Sequence, residues 1–174
     1  MKKILFIILL GTMGVCSANA QIVWGARVGL SNAMFNGDFY LNSPSIEGGP
    51  TVYYSLSNNT YLNSGLMFSL KNFDETSAFF LELPIYAGYA FNIGVLDLYI
   101  QAGPYFGYKI QESEDMLDSF NMGLGGAAGI NLGRFKIEFG YQWGLTSIYH
   151  NTNNYDVQYS WAISSMFLGV SYIF

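Results

Sequence analysis

From Phe79 to Phe91 every second residue is apolar. Phe79, Leu81, Leu83, Ile85, Ala87, Tyr89 and Phe91 alternate with Phe80, Glu82, Pro84, Tyr86, Gly88 and Ala90. The same beat runs from Leu96 to Lys109, where Leu96, Leu98, Ile100, Ala102, Pro104, Phe106 and Tyr108 alternate with Asp97, Tyr99, Gln101, Gly103, Tyr105, Gly107 and Lys109. It returns from Phe135 to Thr146, where Phe135, Ile137, Phe139, Tyr141, Trp143 and Leu145 alternate with Lys136, Glu138, Gly140, Gln142, Gly144 and Thr146. A period of two sends successive side chains to opposite faces of an extended strand. Each run therefore predicts a strand with one apolar, aromatic-ended face and one face of polar residues and glycine.

Weaker versions of the pattern give strands at Val23–Ala33, Ile46–Leu56, Tyr61–Asn72, Phe120–Leu132 and Ala162–Phe174, eight strands in all. The connections alternate in kind. Ser57–Thr60, Asn92–Val95 and Gly133–Arg134 are short turns, whereas Met34–Ser45, Phe73–Ala78, Ile110–Ser119 and Ile148–Trp161 are longer and polar. Such a chain meanders, with its turns at one end and its loops at the other.

The apolar face must find cover, and composition decides where. The chain is 51% hydrophobic and 18% aromatic but only 11% charged, against about 25% charged in an average soluble domain. Disorder is excluded, since disordered chains lack aromatics and carry much charge. A net charge of −5 excludes a phosphate-binding basic surface and hence a nucleic-acid partner. A water-soluble barrel would need a Lys- and Glu-rich outer face, and the polar face here is Gly, Asn, Ser and Tyr. Strands of 10–13 residues suit a tilted membrane crossing of about 9–11 residues. A sheet in hydrocarbon must close on itself, because lipid cannot hydrogen-bond a free edge. The fold class expected is an all-β, eight-stranded, antiparallel up-and-down transmembrane β-barrel with the apolar face turned to lipid.

The N-terminus supplies the route. Lys2 and Lys3 precede the apolar stretch Ile4–Leu10, and Ala18-Asn19-Ala20 is a small-residue cleavage site before Gln21. Residues 1–20 read as a secretory signal peptide and residues 21–174 as the barrel domain. The stretch is too short for a membrane anchor of about 20 residues. Val15 before Cys16 argues against lipidation of that cysteine. Cleavage removes two lysines, moving the net charge from −5 to −7, and removes the single Cys. The remaining chain has no disulfide, thiol nucleophile or cysteine metal site.

The predicted lumen set is Arg27, Glu47, Asn63, Lys71, Glu82, Asp97, Gln101, Tyr105, Lys136, Glu138 and Gln142. An eight-stranded barrel is just wide enough for side chains to fill, and buried charges require partners. Arg27 and Lys136 are expected to pair with Glu47, Glu82 and Glu138, with Gln101 in the same polar network, plugging the lumen. Inward glycines, among them Gly25, Gly29, Gly103, Gly107, Gly123, Gly125, Gly140 and Gly144, leave room for the larger inward side chains. Outward Trp24, Phe68, Tyr89, Phe106, Tyr108, Trp143 and Phe174 supply interfacial girdles. Phe174, Tyr172 and Val170 share a face of the last strand with Leu168 and Met166, an aromatic carboxy terminus of the kind the barrel assembly machinery reads.

Chemistry finds little support. His150 is the single histidine. Ser147 lies an odd number of residues away, on the opposite face of a strand, and the His-x-Ser pattern of lipid A deacylase barrels is absent. A nucleophile needs its base and orienting acid in contact, so no catalytic residue is expected and the chain is read as not an enzyme. Glu112, Glu114, Asp115 and Asp118 crowd one loop without the glycine and bidentate order of a calcium loop, and read as a solvated acidic tip. The glycines of Gly123–Gly129 sit inside a strand and open no helix, so they are not a dinucleotide loop. No metal and no cofactor is expected.

The run FFLELPIYAGYAFNIGVLDLYIQAGPYFGYK at Phe79–Lys109, with MGLGGAAGINLGRFKIEFGYQWGLTSI at Met122–Ile148 and Trp24–Leu30 in the first strand, resembles the PorT-like outer-membrane β-barrel family of the Bacteroidota. The resemblance implies a Gram-negative outer-membrane barrel, usually of unassigned activity, one named member of which takes part in protein secretion. The function expected is structural or surface-interaction, with no open pore. The partners expected are outer-membrane lipid, lipopolysaccharide and the barrel assembly machinery. An accessory role in secretion or transport, with a secretion-system partner, is the first alternative, and a lipid-modifying barrel enzyme the second.

Overall fold

The computed structural model describes residues 22–35, 44–73, 76–94, 96–112, 119–149 and 161–174. The elements are β1 (Ile22–Phe35), β2 (Pro44–Ser55), β3 (Thr60–Gly65), β4 (Met67–Phe73), β5 (Thr76–Ile93), β6 (Leu96–Glu112), β7 (Phe120–Leu132), β8 (Phe135–Gly144), β9 (Ser147–Tyr149) and β10 (Trp161–Ile173). Each pairs antiparallel with its neighbours. The sheet closes because β1 pairs with β2 on one side and β10 on the other. The wall thus counts eight positions, β3 and β4 sharing one and β9 lying on β10 beyond β8. Residues 1–20, the proposed signal peptide, lie outside the described residues.

Following the register once round the wall gives its stagger. Thr60 pairs with Tyr89, then the line passes through Ile100, Ala128, Phe139, Leu168, Leu30 and Ile46 to Leu70. It returns to the starting strand position ten residues further on, from Thr60 to Leu70. This offset is what tilts the strands and sets the width of an eight-stranded barrel whose interior side chains can fill.

Several strands run past their expected ends, so that Phe73 pairs with Thr76 and the connection expected as the longer loop Phe73–Ala78 shrinks to two residues, and two boundaries fall short of the sequence reading. The strand expected at Tyr61–Asn72 is interrupted at Leu66, and the one expected to reach Thr146 stops at Gly144. Proline explains the first. Pro50, Pro84 and Pro104 have no N–H for the ladder; Pro84 and Pro104 stand close together on the paired strands β5 and β6, and Pro50 faces the break from β2 on its other side. Pairing between β5 and β6 likewise skips from Pro84↔Tyr105 to Ala87↔Ala102. The backbone is re-satisfied locally: Leu66 N–H donates to the Pro50 carbonyl at 3.0 Å, and the Ser64 hydroxyl, on the outer face, donates to the Pro84 carbonyl at 2.9 Å. In hydrocarbon such substitutes are required rather than optional. At the other long strands the register outruns the alternation, and β5 and β6 reach 18 and 17 residues.

The alternation has the polarity the sequence implies. Val28, Leu30, Ile46, Ile100, Leu124, Phe139 and Leu168 are exposed around the waist of the wall, while Arg27, Glu47, Gln101 and Glu138, adjacent in sequence to such residues, are buried inside. The tight turn between β7 and β8 uses Gly133 at φ +64°, the left-handed region that a Cβ disfavours.

Candidate functional site

Six ionisable side chains are buried in the described lumen, Arg27, Lys71 and Lys136 against Glu47, Glu82 and Glu138, so basic and acidic groups match in number. They sit at three heights along the barrel.

In the middle, Arg27 on β1 is bonded to Glu47 on β2 and to Glu138 on β8, the latter at 2.8 Å. Its guanidinium lies 4.4 Å from the centroid of the Phe167 ring. Glu138 also accepts hydrogen bonds from the Tyr99 hydroxyl at 3.0 Å and the Gln101 amide at 2.9 Å. Gln101 in turn accepts from the Asn63 amide at 3.0 Å. A chain of polar contacts therefore crosses from β3 through β6 and β8 to β1 and β2. Each buried carboxylate needs such partners, because desolvating an ion costs several kcal/mol.

Nearer the long-loop end, Lys71 on β4 donates to Glu82 on β5 at 2.5 Å, both about 1% exposed, with the Phe80 ring 5.5 Å from the ammonium. Nearer the short-turn end, the Lys136 ammonium lies 4.1, 4.8 and 4.2 Å from the ring centroids of Tyr53, Tyr61 and Tyr99. This corrects the expected pairing. Among the described residues Lys136 has no carboxylate within 4.0 Å; three tyrosine faces hold it instead, and the cation on Glu82 is Lys71. The physical reason is reach, since the register sets Lys136 beside the short turn while Glu82 lies well up β5. Cation–π contacts are worth about 2 kcal/mol or more when desolvated, which lets rings stand in for a counter-ion.

Asp97 is a second correction. It has the inward parity but stands at the first turn of β6, exposed, and accepts from the Asn92 amide across the hairpin. Tyr105 and Gln142 are buried; Gln142 bridges the Ser165 hydroxyl at 2.9 Å and the Tyr86 hydroxyl at 3.5 Å. The rings fit because glycine faces them: a Cβ on Gly125 would run into the Tyr86 hydroxyl, and one on Gly88 into the Tyr61 ring. The sequence reading missed the tyrosine cage, although Tyr53, Tyr61 and Tyr99 all carry the inward parity and could have been collected by it.

Outside, Trp24, Phe68, Tyr89, Phe106, Tyr108, Trp143 and Phe174 are exposed. Tyr172 meets Phe135 and Phe174 edge-on at 5.2 and 5.6 Å, and Phe174 N–H donates to Trp24 across the closing seam at 2.9 Å. Val170 lies on the same outer face. His150, Thr152, Glu114, Asp115 and Asp118 lie outside the described residues, as do the side chains of Glu112 and Ser147.

No curated protein matches the sequence. Among solved structures, the fold is similar to neisserial surface protein A, with 16% identity and a TM-score of 0.57, covering 90% of this chain and 99% of that one. It is also similar to outer membrane protein AlkL in lipid bilayers, with 12% identity and a TM-score of 0.50, covering 88% and 90%. Likeness at this identity speaks for the fold. The model of a family described as outer membrane protein beta-barrel domain matches residues 17–150, and with a closed, lipid-facing wall around a polar lumen, the chain belongs to that outer-membrane β-barrel family.

Proposed function

We propose that this protein is a non-enzymatic structural or surface-interaction barrel that holds no open pore. The observation that carries the reading is the lumen itself: three basic and three acidic side chains are buried there, each basic one against a carboxylate or an aromatic face, in a barrel of a width that side chains can fill. Arg27, Glu47, Glu82, Gln101, Lys136 and Glu138 are given a structural role, stitching the wall from within. Residues 1–20 serve as the export signal and 21–174 as the barrel. The short turns face the periplasm and the long loops the exterior, the usual arrangement for such barrels. Phe174, Tyr172 and Val170 serve as the assembly signal, and the lipid and lipopolysaccharide around the belt are the standing partners. The PorT-like resemblance supports a Bacteroidota source, and it does not by itself bring a secretion role, because function lives in sites rather than folds.

Conductance tests the central claim. Purified barrel in a planar bilayer is expected to give no unitary current steps; stable, reproducible steps would overturn the closed lumen. For orientation, Asn153→Cys on intact cells is expected to react with an impermeant maleimide, and protection of that thiol in an assembled barrel would reverse the topology.

A further inference from the structure

We propose that the lipid-facing wall near the short turns carries a discrete site for one acyl chain of a membrane phospholipid. A barrel is convex outside, so a belt of bulky side chains ordinarily presents ridges. Here β3, β5 and β6 instead enclose a groove of about 490 Å³. Its floor is low because Ala87 and Ala102, paired across β5 and β6, both point outward with only a methyl group each. Gly126, paired with Ala102 on β7, continues the low ground. Leu56 and the paired Tyr89 and Ile100 stand above the floor towards the short turns, each about half exposed.

The occupant follows from where the groove lies. It is continuous with the lipid-facing belt of an outer-membrane barrel, so it opens on hydrocarbon and not on water. Tyr61, Gly88 and Gln101 also line it, but the Tyr61 and Gln101 side chains turn to lumen partners, so the floor is chiefly carbon, which leaves an aliphatic chain as the ligand. Outward hydroxyl groups gather at one edge: Thr60 lines the groove, and its hydroxyl is 2.7 Å from that of Ser57 in the adjoining turn. That edge is where the belt ends and where a glycerol ester would sit. A chain held there touches protein on its underside and at the Leu56, Tyr89 and Ile100 side chains, against one side only on the open belt. Dispersion contacts add with their number, so this chain is retained where its neighbours exchange.

Native mass spectrometry of the full barrel, stripped of lipid in detergent and titrated with palmitoyl-oleoyl phosphatidylethanolamine, tests the site. The wild type is expected to take up one lipid ahead of any others. Ala102→Phe fills the groove and is expected to weaken that first uptake at least tenfold. Ala26→Phe adds the same bulk to the outer face of β1, away from the groove, and is expected to leave it unchanged. Ala87→Leu is a milder filling that supports the site if Ala102→Phe fails to fold, and is expected to weaken uptake several-fold. A wild type with no distinct first lipid overturns the proposal, as does equal weakening by Ala102→Phe and Ala26→Phe, or full uptake by the filled variants.

Discussion

Replacing Arg27 with Met removes the one group that both Glu47 and Glu138 use as a counter-ion. Met is close to Arg in length and leaves little void, so the loss is chiefly electrostatic. Breaking a buried pair by deleting one partner costs about 3–5 kcal/mol, because the abandoned charge stays desolvated. Two carboxylates are abandoned here, yet unequally. Glu138 keeps its bonds from Tyr99 and Gln101, whereas Glu47 is bound through Arg27. The contact with Phe167 is lost as well, about 0.5–2 kcal/mol. The two terms together put the expected loss at about 4–7 kcal/mol. Reversible urea unfolding of the barrel in lipid vesicles, followed by tryptophan fluorescence, would read this as a midpoint lowered by about 2–3.5 M for a slope of about 2 kcal/mol/M. Glu47→Gln is the informative contrast. It keeps an acceptor for Arg27 and leaves the guanidinium on Glu138 at 2.8 Å, so it should cost less than half as much. The triple change Arg27→Met, Glu47→Gln, Glu138→Gln removes every charge from that layer and should recover most of the loss, since neutralising a buried network wholly is cheaper than halving it. An Arg27→Met barrel within 1 kcal/mol of wild type, or a triple variant weaker than the single one, would refute the account of the lumen as a set of mutually required ions.

The other two cations separate counter-ion from ring. Lys71→Met strands Glu82, both about 1% exposed, and should cost about 3–5 kcal/mol; Lys136→Met loses tyrosine faces but strands no directly paired carboxylate and should cost about 2–3 kcal/mol, measured by the same urea midpoints. Gly125→Ala drives a Cβ into Tyr86 and should destabilise by about 1–3 kcal/mol, while Ala at Gly126, whose nearest atom would be 3.4 Å away, should be tolerated. Arginine at Phe139, mid-wall, should cost about 2–4 kcal/mol against about 0–1 at Trp24 near the rim; equal costs would remove the lipid belt from where it is drawn.

The wall was legible because its rule is local. Period two tells each residue its face, and closure follows from the demand that no backbone edge meet lipid. Breaks in the wall were harder to read. Pro50, Pro84 and Pro104 are visible in the sequence, but that they gather at about one level around the break in β3 and β4 is a property of the register, which alternation leaves free by any even step. The lumen shows the same limit. Parity places Arg27, Lys71 and Lys136 inside, yet which acid each one meets depends on height, and height depends on the ten-residue stagger. Asp97 has the right parity and the wrong height, and so meets Asn92 at the rim.

That stagger also explains why one arginine serves two carboxylates. Glu47 is on the strand next to Arg27, but Glu138 is two positions round, with β10 between them. The side chain can pass because the intervening residue is Gly169, where a Cβ would lie 3.0 Å from Arg27 Nε and 3.5 Å from Glu138. Arg27 therefore spans the β1–β10 junction, the single place where the ends of the chain meet to close the wall. At every other junction the paired strands are near neighbours in sequence and their turns hold them together. Here no turn exists, and closure rests on the ladder from Gly25↔Ile173 to Phe35↔Ile163 and on the ions reaching across it. A buried ion pair adds little net stability where local connection already fixes the geometry. Its value is greatest at the one seam that the chain does not tie covalently, and that is where the most connected cation of the lumen stands.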